Sequence, residues 1–327
     1  MPKITGYITH AFVNRPVLFR RMPEAPERIE AIESRMLVAG LREKVLLIQA
    51  PAASRADVTL AHDVDYVQAL EAVSSGLATP EQKKRFVAQD SPVGTRTYVS
   101  AMHSVGAVIR AVNAIATHKI RNAFCAIRPP GHHAGRAHSH GFCFFNNVAI
   151  GALYAQKHGF ERVAIIDFDV HHGDGTEEII AGKKGIHFWS MFQWPLFPHS
   201  KMRPCPVNVT QSPLRAGTDG LAVRSLLEEV WIPQLRAFRP DIIFLSAGFD
   251  AHTEEHLAQC KLEETDFIYM TRRLAQEAAQ LCNGYLVSVL EGGYSLSSLA
   301  RSALSHIHTL VRAAEHIHRT LPTRKHT

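Results

Sequence analysis

Short runs of β-branched and other apolar residues recur through the middle and end of the chain, at 123–127, 162–168, 186–190, 241–246 and 285–290, each followed by a stretch of helical periodicity. Such runs predict strands, and strands alternating with helices predict an α/β fold with one predominantly parallel sheet flanked by helices. The predicted helices are 26–39, 64–74, 98–117, 146–158, 219–238, 264–282 and 295–318. In 219–238 the residues Leu221, Val223, Leu226, Leu227 and Val230 keep the spacing of one buried helical face. No Gly/Ser- or Pro-rich linker and no fixed-period repeat divides the chain. The expectation is therefore a single domain over residues 1–321, followed by a short basic tail at 322–327.

Composition sharpens this picture in a few respects. With 46% apolar residues among 327 and a mean hydropathy of −0.06, the chain can bury a large core, which excludes global disorder. Twenty histidines exceed ordinary structural needs and point to metal or acid/base chemistry. The net charge of +6 arises from 36 Lys and Arg against 30 Asp and Glu, spread along the chain, so it only weakly permits an acidic partner. The first sixteen residues lack the apolar core of a secretory signal, and no run of 18 uncharged apolar residues occurs. A cytoplasmic protein without a membrane partner is expected. The five cysteines are widely spaced without a CxxC pair, which predicts reduced thiols and no cysteine-based zinc knuckle.

In a parallel sheet, functional groups sit on the loops beyond the carboxyl ends of the strands. The strand at 162–168 runs into Asp167-Phe168-Asp169-Val170-His171-His172-Gly173-Asp174. Alternate residues of an extended segment share a face, so Asp169 and His171 form an oxygen-and-nitrogen pair suited to a divalent ion. A satisfied polar cluster is the plainer alternative. Asp250, after the strand at 241–246, could close a three-ligand site that leaves a position open for water. The strand at 123–127 leads into Arg128-Pro129-Pro130-Gly131-His132-His133, two adjacent imidazoles that Asp167 and Asp174 could orient as an acid/base pair. An exposed His-rich loop is the alternative there. Glu291-Gly292-Gly293-Tyr294 follows the last strand, and its phenol could donate to a developing oxyanion or merely pack.

Six segments, taken together and in order, resemble the histone deacetylase superfamily, in its bacterial class II-like or acetylpolyamine amidohydrolase-type branch. They are residues 23–29, 128–134, 141–147, 167–176, 246–252 and 290–294, and they span most of the chain. The resemblance implies the arginase-deacetylase fold and a metal-dependent hydrolase that cleaves linear amide C–N bonds. It implies that Asp169, His171 and Asp250 bind Zn²⁺ or Fe²⁺, and that His132 and His133, backed by Asp167 and Asp174, are the general acid/base pair. It also implies that Tyr294 polarises the scissile carbonyl and that an acyl-lysine tunnel is walled by Phe142 and Phe197 beside Gly141. A structural K⁺ would use Asp167, Asp169, His171, Ser190 and Met191.

The substrate implied is an acylated lysine peptide or protein, or a small acylated amine. Polyamine-specific relatives carry a glutamate seven residues after the ligand aspartate, where this chain has Leu257, which disfavours acetylpolyamines. The family's loop after the Phe-Pro pair is shorter here, within 195–208, so a different tunnel rim is expected. The family's Asp-Thr-Tyr reads Arg96-Thr97-Tyr98, which suggests that a cation replaces the acid that grips the substrate backbone, with Asp90 nearby. His252-Thr253-Glu254-Glu255-His256 matches the H-x-x-E-H zinc-peptidase pattern but lacks its long helix and is read as coincidence. The competing functions are an arginase-like two-metal ureohydrolase and a non-catalytic acyl-lysine binder or nucleic-acid-associated scaffold. The sequence leaves the oligomeric state open.

Overall fold

The computed structural model describes residues 3–13, 22–199 and 205–320; the tail at 322–327 and part of the rim segment, 200–204, lie outside the described residues. In chain order the elements are β1 (Thr5–Thr9), α1 (Glu27–Val38), β2 (Leu46–Gln49), α2 (Arg55–Val58), α3 (Val64–Ser74), α4 (Pro80–Lys84), α5 (Thr97–Ala116), β3 (Asn122–Cys125), α6 (Asn147–Lys157), β4 (Val163–Asp167), α7 (Asp174–Ile180), β5 (Ile186–Gln193), β6 (Val209–Leu214), α8 (Gly220–Leu226), α9 (Ile232–Phe238), β7 (Ile242–Ala247), α10 (Glu264–Cys282), β8 (Leu286–Leu290) and α11 (Leu296–Thr320). The strands form one sheet in the order β2-β1-β3-β8-β7-β4-β5-β6, and every pairing is parallel.

Both faces of the sheet are covered, and the strand sequences show why. Val163 and Ile165 of β4 join the core under α3, α5 and α6, while Ala164 and Ile166 join the core under α1, α10 and α11. The same alternation splits Ile242 and Phe244 from Ile243 and Leu245 in β7. A strand buried on both faces needs a continuous apolar run, which is the pattern that made these strands legible. The helix α5 is long and apolar enough to cross a membrane by length and composition, yet 72% of its apolar window is buried within the fold.

The five predicted strands and seven predicted helices are present, with three differences. The strands β1, β2 and β6 carry no such run: TGYIT and VTQSPL are partly polar, and LLIQ is short and half-exposed, as suits an edge of the sheet. The predicted helix 219–238 is interrupted by a wider, π-type turn at Leu227–Trp231 between α8 and α9. Pro233 has no N–H to donate back along the helix, and the ladder widens just ahead of it. Finally, short α2 and α4 begin at capping boxes on Ser54 and Thr79, too brief to show periodicity.

The order of the sheet places β3, β8, β7 and β4 side by side at its centre. Their carboxyl ends carry His132 and His133, Tyr294, Asp250, and Asp169 with His171, respectively.

Candidate active site

Asp169, His171 and Asp250 meet at the ends of β4 and β7, with their potential ligand atoms all within 4.8 Å of one another. His171 Nδ1 lies 3.1 Å from Asp169 Oδ1 and 3.0 Å from Asp250 Oδ2. Both carboxylates are fully buried, at 0% exposure. Backbone amides hold them: Gly292 N–H donates to Asp169 Oδ2 at 2.8 Å, and Val170 N–H donates to Asp250 Oδ1 at 2.9 Å. Two glycines make room for the pair, because a Cβ at Gly248 would stand 2.0 Å from Asp169 Oδ2 and one at Gly292 2.0 Å from Asp250 Oδ2.

Two buried carboxylates in contact demand a positive charge. Burial pushes His171 down, but the hydrogen bonds and charges of Asp169 and Asp250 outweigh it and raise the ring to about 10. Burial and the neighbouring Asp169 charge raise Asp250 to about 6, whereas the His132 and His171 charges overcome burial and hold Asp169 well below the usual carboxylate range. A proton on His171 thus stands where a divalent ion bound by two oxygens and one imidazole would satisfy the same charges. The donor set fits Zn²⁺ or Fe²⁺.

Beside this cluster the rings of His132 and His133 lie with centroids 4.0 Å apart. His132 Nδ1 is 3.0 Å from Asp167 Oδ2, and His133 Nδ1 is 2.8 Å from Asp174 Oδ1. Burial opposes charge on both rings, but they diverge. Asp169 and Asp167 hold His132 well above the usual histidine range, while burial and the His132 charge push His133 down to about 3 despite Asp174. A charge on one of two imidazoles this close disfavours a charge on the other, which is why the pair shifts in opposite directions. The other oxygen of Asp174 lies 3.1 Å from His140 Nε2.

The loops bearing these groups are tied down by residues whose roles the sequence did not reveal. Glu291 accepts hydrogen bonds from Gly131 N–H at 2.7 Å and His132 N–H at 3.2 Å. The segment 23–29 supplies two clamps: Glu24 pairs with buried Arg128 ahead of the histidines, and buried Arg28 donates to the carbonyls of Glu291 and Gly293. The Arg28 guanidinium also sits 5.0 Å from the centre of the Tyr294 ring.

Phe142, Phe197, Leu257, Gly141, Asp90, His133, His171 and Tyr294 line a cavity of about 220 Å³. Phe142 packs edge-on against Tyr294 at 5.5 Å, and Phe197 stands perpendicular to His133 at 5.0 Å. Gly141 has φ +55°, and a Cβ there would lie 2.4 Å from the His133 ring, so only glycine fits. Phe142 follows at φ +67°, a conformation costing a bulky residue roughly 1–2 kcal/mol. Burial raises the Tyr294 phenol well above its usual value, which keeps its proton available for donation.

One expectation changes. Arg96 is exposed at the start of α5 and does not line the cavity; the carboxylate at the rim is Asp90, so no cation replaces the acid there. Asp90 accepts from Gly141 N–H at 3.0 Å through Oδ2, and its buried Oδ1 has no partner among the described residues. The H-x-x-E-H match forms no ligand set: His252 is buried within 3.4 Å of Glu264, His256 is exposed, and Glu255 accepts from backbone amides. Asp167 pairs with Ser190 in the register of β4 and β5, and Met191 follows, also buried. The Ser190 hydroxyl is 3.0 Å from His172 Nδ1.

Residues 22–310 match the family model for the histone deacetylase domain. The chain is 34% identical over 304 residues to a probable deacetylase of Archaeoglobus fulgidus, covering 90% of this chain and 82% of that one. It is 34% identical over 283 residues to a histone deacetylase-like amidohydrolase of Pseudomonas aeruginosa, covering 83% and 72%. The crystal structure of the HDA15 HD domain superposes with a TM-score of 0.84 at 28% identity, over 94% of this chain and 89% of that one. Fold, site geometry and sequence agree: the chain belongs to the histone deacetylase family.

Proposed function

We propose that the chain is a metal-dependent deacylase that removes an acetyl or related acyl group from the side-chain amine of lysine in peptides or proteins. The observation that carries this reading is a pair of imidazoles 4.0 Å apart, each held by its own aspartate, beside the cluster of Asp169, His171 and Asp250, at an apolar cavity that also admits the Tyr294 ring. A Zn²⁺ or Fe²⁺ ion held by those three residues would supply Lewis acidity toward water and the acyl carbonyl. Asp167, Asp169, His171, Ser190 and Met191 are proposed to hold K⁺, the pairing of Asp167 with Ser190 gathering oxygen donors there.

The chain's own groups account for the proton traffic. Asp174 fixes the His133 Nδ1 proton and leaves Nε2 as the acceptor for the proton of the attacking water. The Tyr294 hydroxyl donates to the oxygen that gains charge as the carbonyl becomes tetrahedral. The imidazole pair returns a proton to the departing nitrogen, so amide and water become amine and carboxylate. Phe142 and Phe197 suit the unbranched apolar stem of lysine, and the free Oδ1 of Asp90 suits a substrate N–H at the rim. Among the described lining residues Asp90 is the acid, and Leu257 stands where a second acid would favour a polycation. The second group of potential ligands, His133, His140 and Asp174, shares no carboxylate with the first, which disfavours a bridged two-metal ureohydrolase.

The test is a screen of protein loaded with Zn²⁺ or Fe²⁺, with a chelated control, against acetyl-, longer-acyl- and hydroxyacyl-lysine peptides and acetylpolyamines. Metal-dependent release of carboxylate from lysine peptides in preference to acetylpolyamines is expected. Preference for the polyamines would replace lysine by a small amine as substrate. No hydrolysis of any compound by metal-loaded protein would leave only an acyl-lysine binder.

A further inference from the structure

The segment 252–256 forms no group of potential metal ligands among the described residues, and its Glu255, buried at 8% exposure, pairs with no cation among them. Its carboxylate accepts three backbone N–H groups. Oε2 takes those of Tyr294 at 2.7 Å and Ser295 at 3.2 Å, and Oε1 takes that of His256 at 2.8 Å. The loop after β7, which carries Asp250, is thereby bound to the loop after β8, which carries Tyr294.

Tyr294 needs such a tie because of what precedes it. Gly292 and Gly293 lack the Cβ that narrows backbone freedom, and Gly293 holds φ +116°. The other clamps act upstream: Asp169 holds Gly292 N–H, and Arg28 holds the carbonyls of Glu291 and Gly293. Among the described residues, the hydrogen bond from the backbone N–H of Tyr294 itself goes to Glu255. A hydroxyl that serves an oxyanion must stay within about 0.5 Å of its productive place. Charge-assisted hydrogen bonds are directional in a way that the ring's contacts with Phe142 and Arg28 are not.

We propose that Glu255 is a positioning residue for catalysis, holding the backbone of Tyr294 so that its hydroxyl meets the acyl oxygen. This rests on the reading of Tyr294 as the oxyanion donor. Leu257, at the cavity rim, lies two residues along the same loop, so a single short segment contributes to the substrate entrance and steadies the oxyanion donor.

The test is a double-mutant cycle on the metal-loaded enzyme, with metal content and melting temperature measured for every variant. Glu255→Ala should lower kcat about 10–100-fold, as expected for a lost charge-assisted bond acting through an oxyanion donor, with KM changed less than about threefold. In a Tyr294→Phe background the same substitution should change kcat less than about twofold, since the hydroxyl it positions is already gone. Glu255→Gln, which keeps an acceptor oxygen, should restore most of the loss. Equal losses in both backgrounds, or full activity of Glu255→Ala, would overturn the proposal. If Glu255→Ala does not fold, Glu255→Asp, whose carboxylate is drawn back by one methylene, replaces it in the same cycle with the same two outcomes. Unimpaired turnover of Tyr294→Phe alone would instead remove the underlying role of Tyr294. His256→Ala should keep activity and bound metal; loss of metal there would return the segment to the status of a ligand set and overturn the proposal.

Discussion

Histidines are buried both at the ends of the central strands and in the layer formed by α10 and α11, and the two regions treat them oppositely. His132 faces Asp167 and Asp169, and these carboxylates raise it well above the usual histidine range in spite of burial. His306 of α11 is equally buried but lies between the hydroxyls of Thr271 and Ser288, at 2.6 and 2.8 Å, and burial pushes it down to about 3. Burial alone makes an imidazole a neutral structural residue. A carboxylate within hydrogen-bonding reach opposes that effect and orients the ring, and at His133 the balance is close: it touches Asp174, yet burial and the neighbouring His132 charge, with ring centroids 4.0 Å apart, push it down to about 3.

The comparison can be broken most sharply at His133. Replacing it by Asn should lower kcat by about 10²–10⁴-fold, the range for a lost general base, with metal content unchanged. A loss of less than tenfold in steady-state kinetics would mean that the strand-end histidines are as structural as His306. Tyr294→Phe should cost about 10²–10³-fold in kcat, measured on the same acyl-lysine substrate. At Gly248 the effect passes through packing alone. Its Ala variant places a methyl 2.0 Å from Asp169 Oδ2, and metal affinity measured by competition with a chelator should fall about 10–100-fold.

The smallest effect belongs to the other region. Because the folded pKa of His306 lies below its ordinary value, the unfolded chain takes up a proton that the folded one refuses as pH falls from about 6.5 towards 3. Stability should therefore be retained above that window and lost within it. His306→Asn should cost roughly 1–3 kcal/mol at pH 7.5 while flattening the fall. Urea unfolding at pH 7.5 and pH 5 measures both, and an unchanged pH slope would show that His306 is not the group responsible.

The central strands were legible because burial on both faces demands continuous apolar runs, as in 162–168 and 241–246. The edge strands β2 and β6 were not, since an edge tolerates polar residues and its pairing comes from neighbours distant in sequence. In the site, Asp169, His171, Asp250, His132, His133 and Tyr294 stood out because each is an unusual residue directly beyond a strand. Asp90 was legible only as a neighbour of Arg96: it lies in a loop before α5 with no strand to mark it, and the hydrogen bond it accepts from Gly141 N–H joins segments 51 residues apart. The sequence likewise suggested Arg96 in its place, because alignment to a motif counts residues and a fold positions them.

By itself, the sequence singled out the residues proposed to carry chemistry, since side-chain type and the alternation of strand and helix are local properties. Tertiary structure alone decided that β3, β8, β7 and β4 lie side by side, because sheet order is set by long-range packing that no local pattern encodes. From that order follow the contact of His171 with Asp250, those of His132 with Asp167 and of His133 with Asp174, and the grip of Glu255 on Tyr294. Each depends on a distance of a few ångströms between segments 30 or more residues apart, and electrostatics and hydrogen bonding act only across such distances.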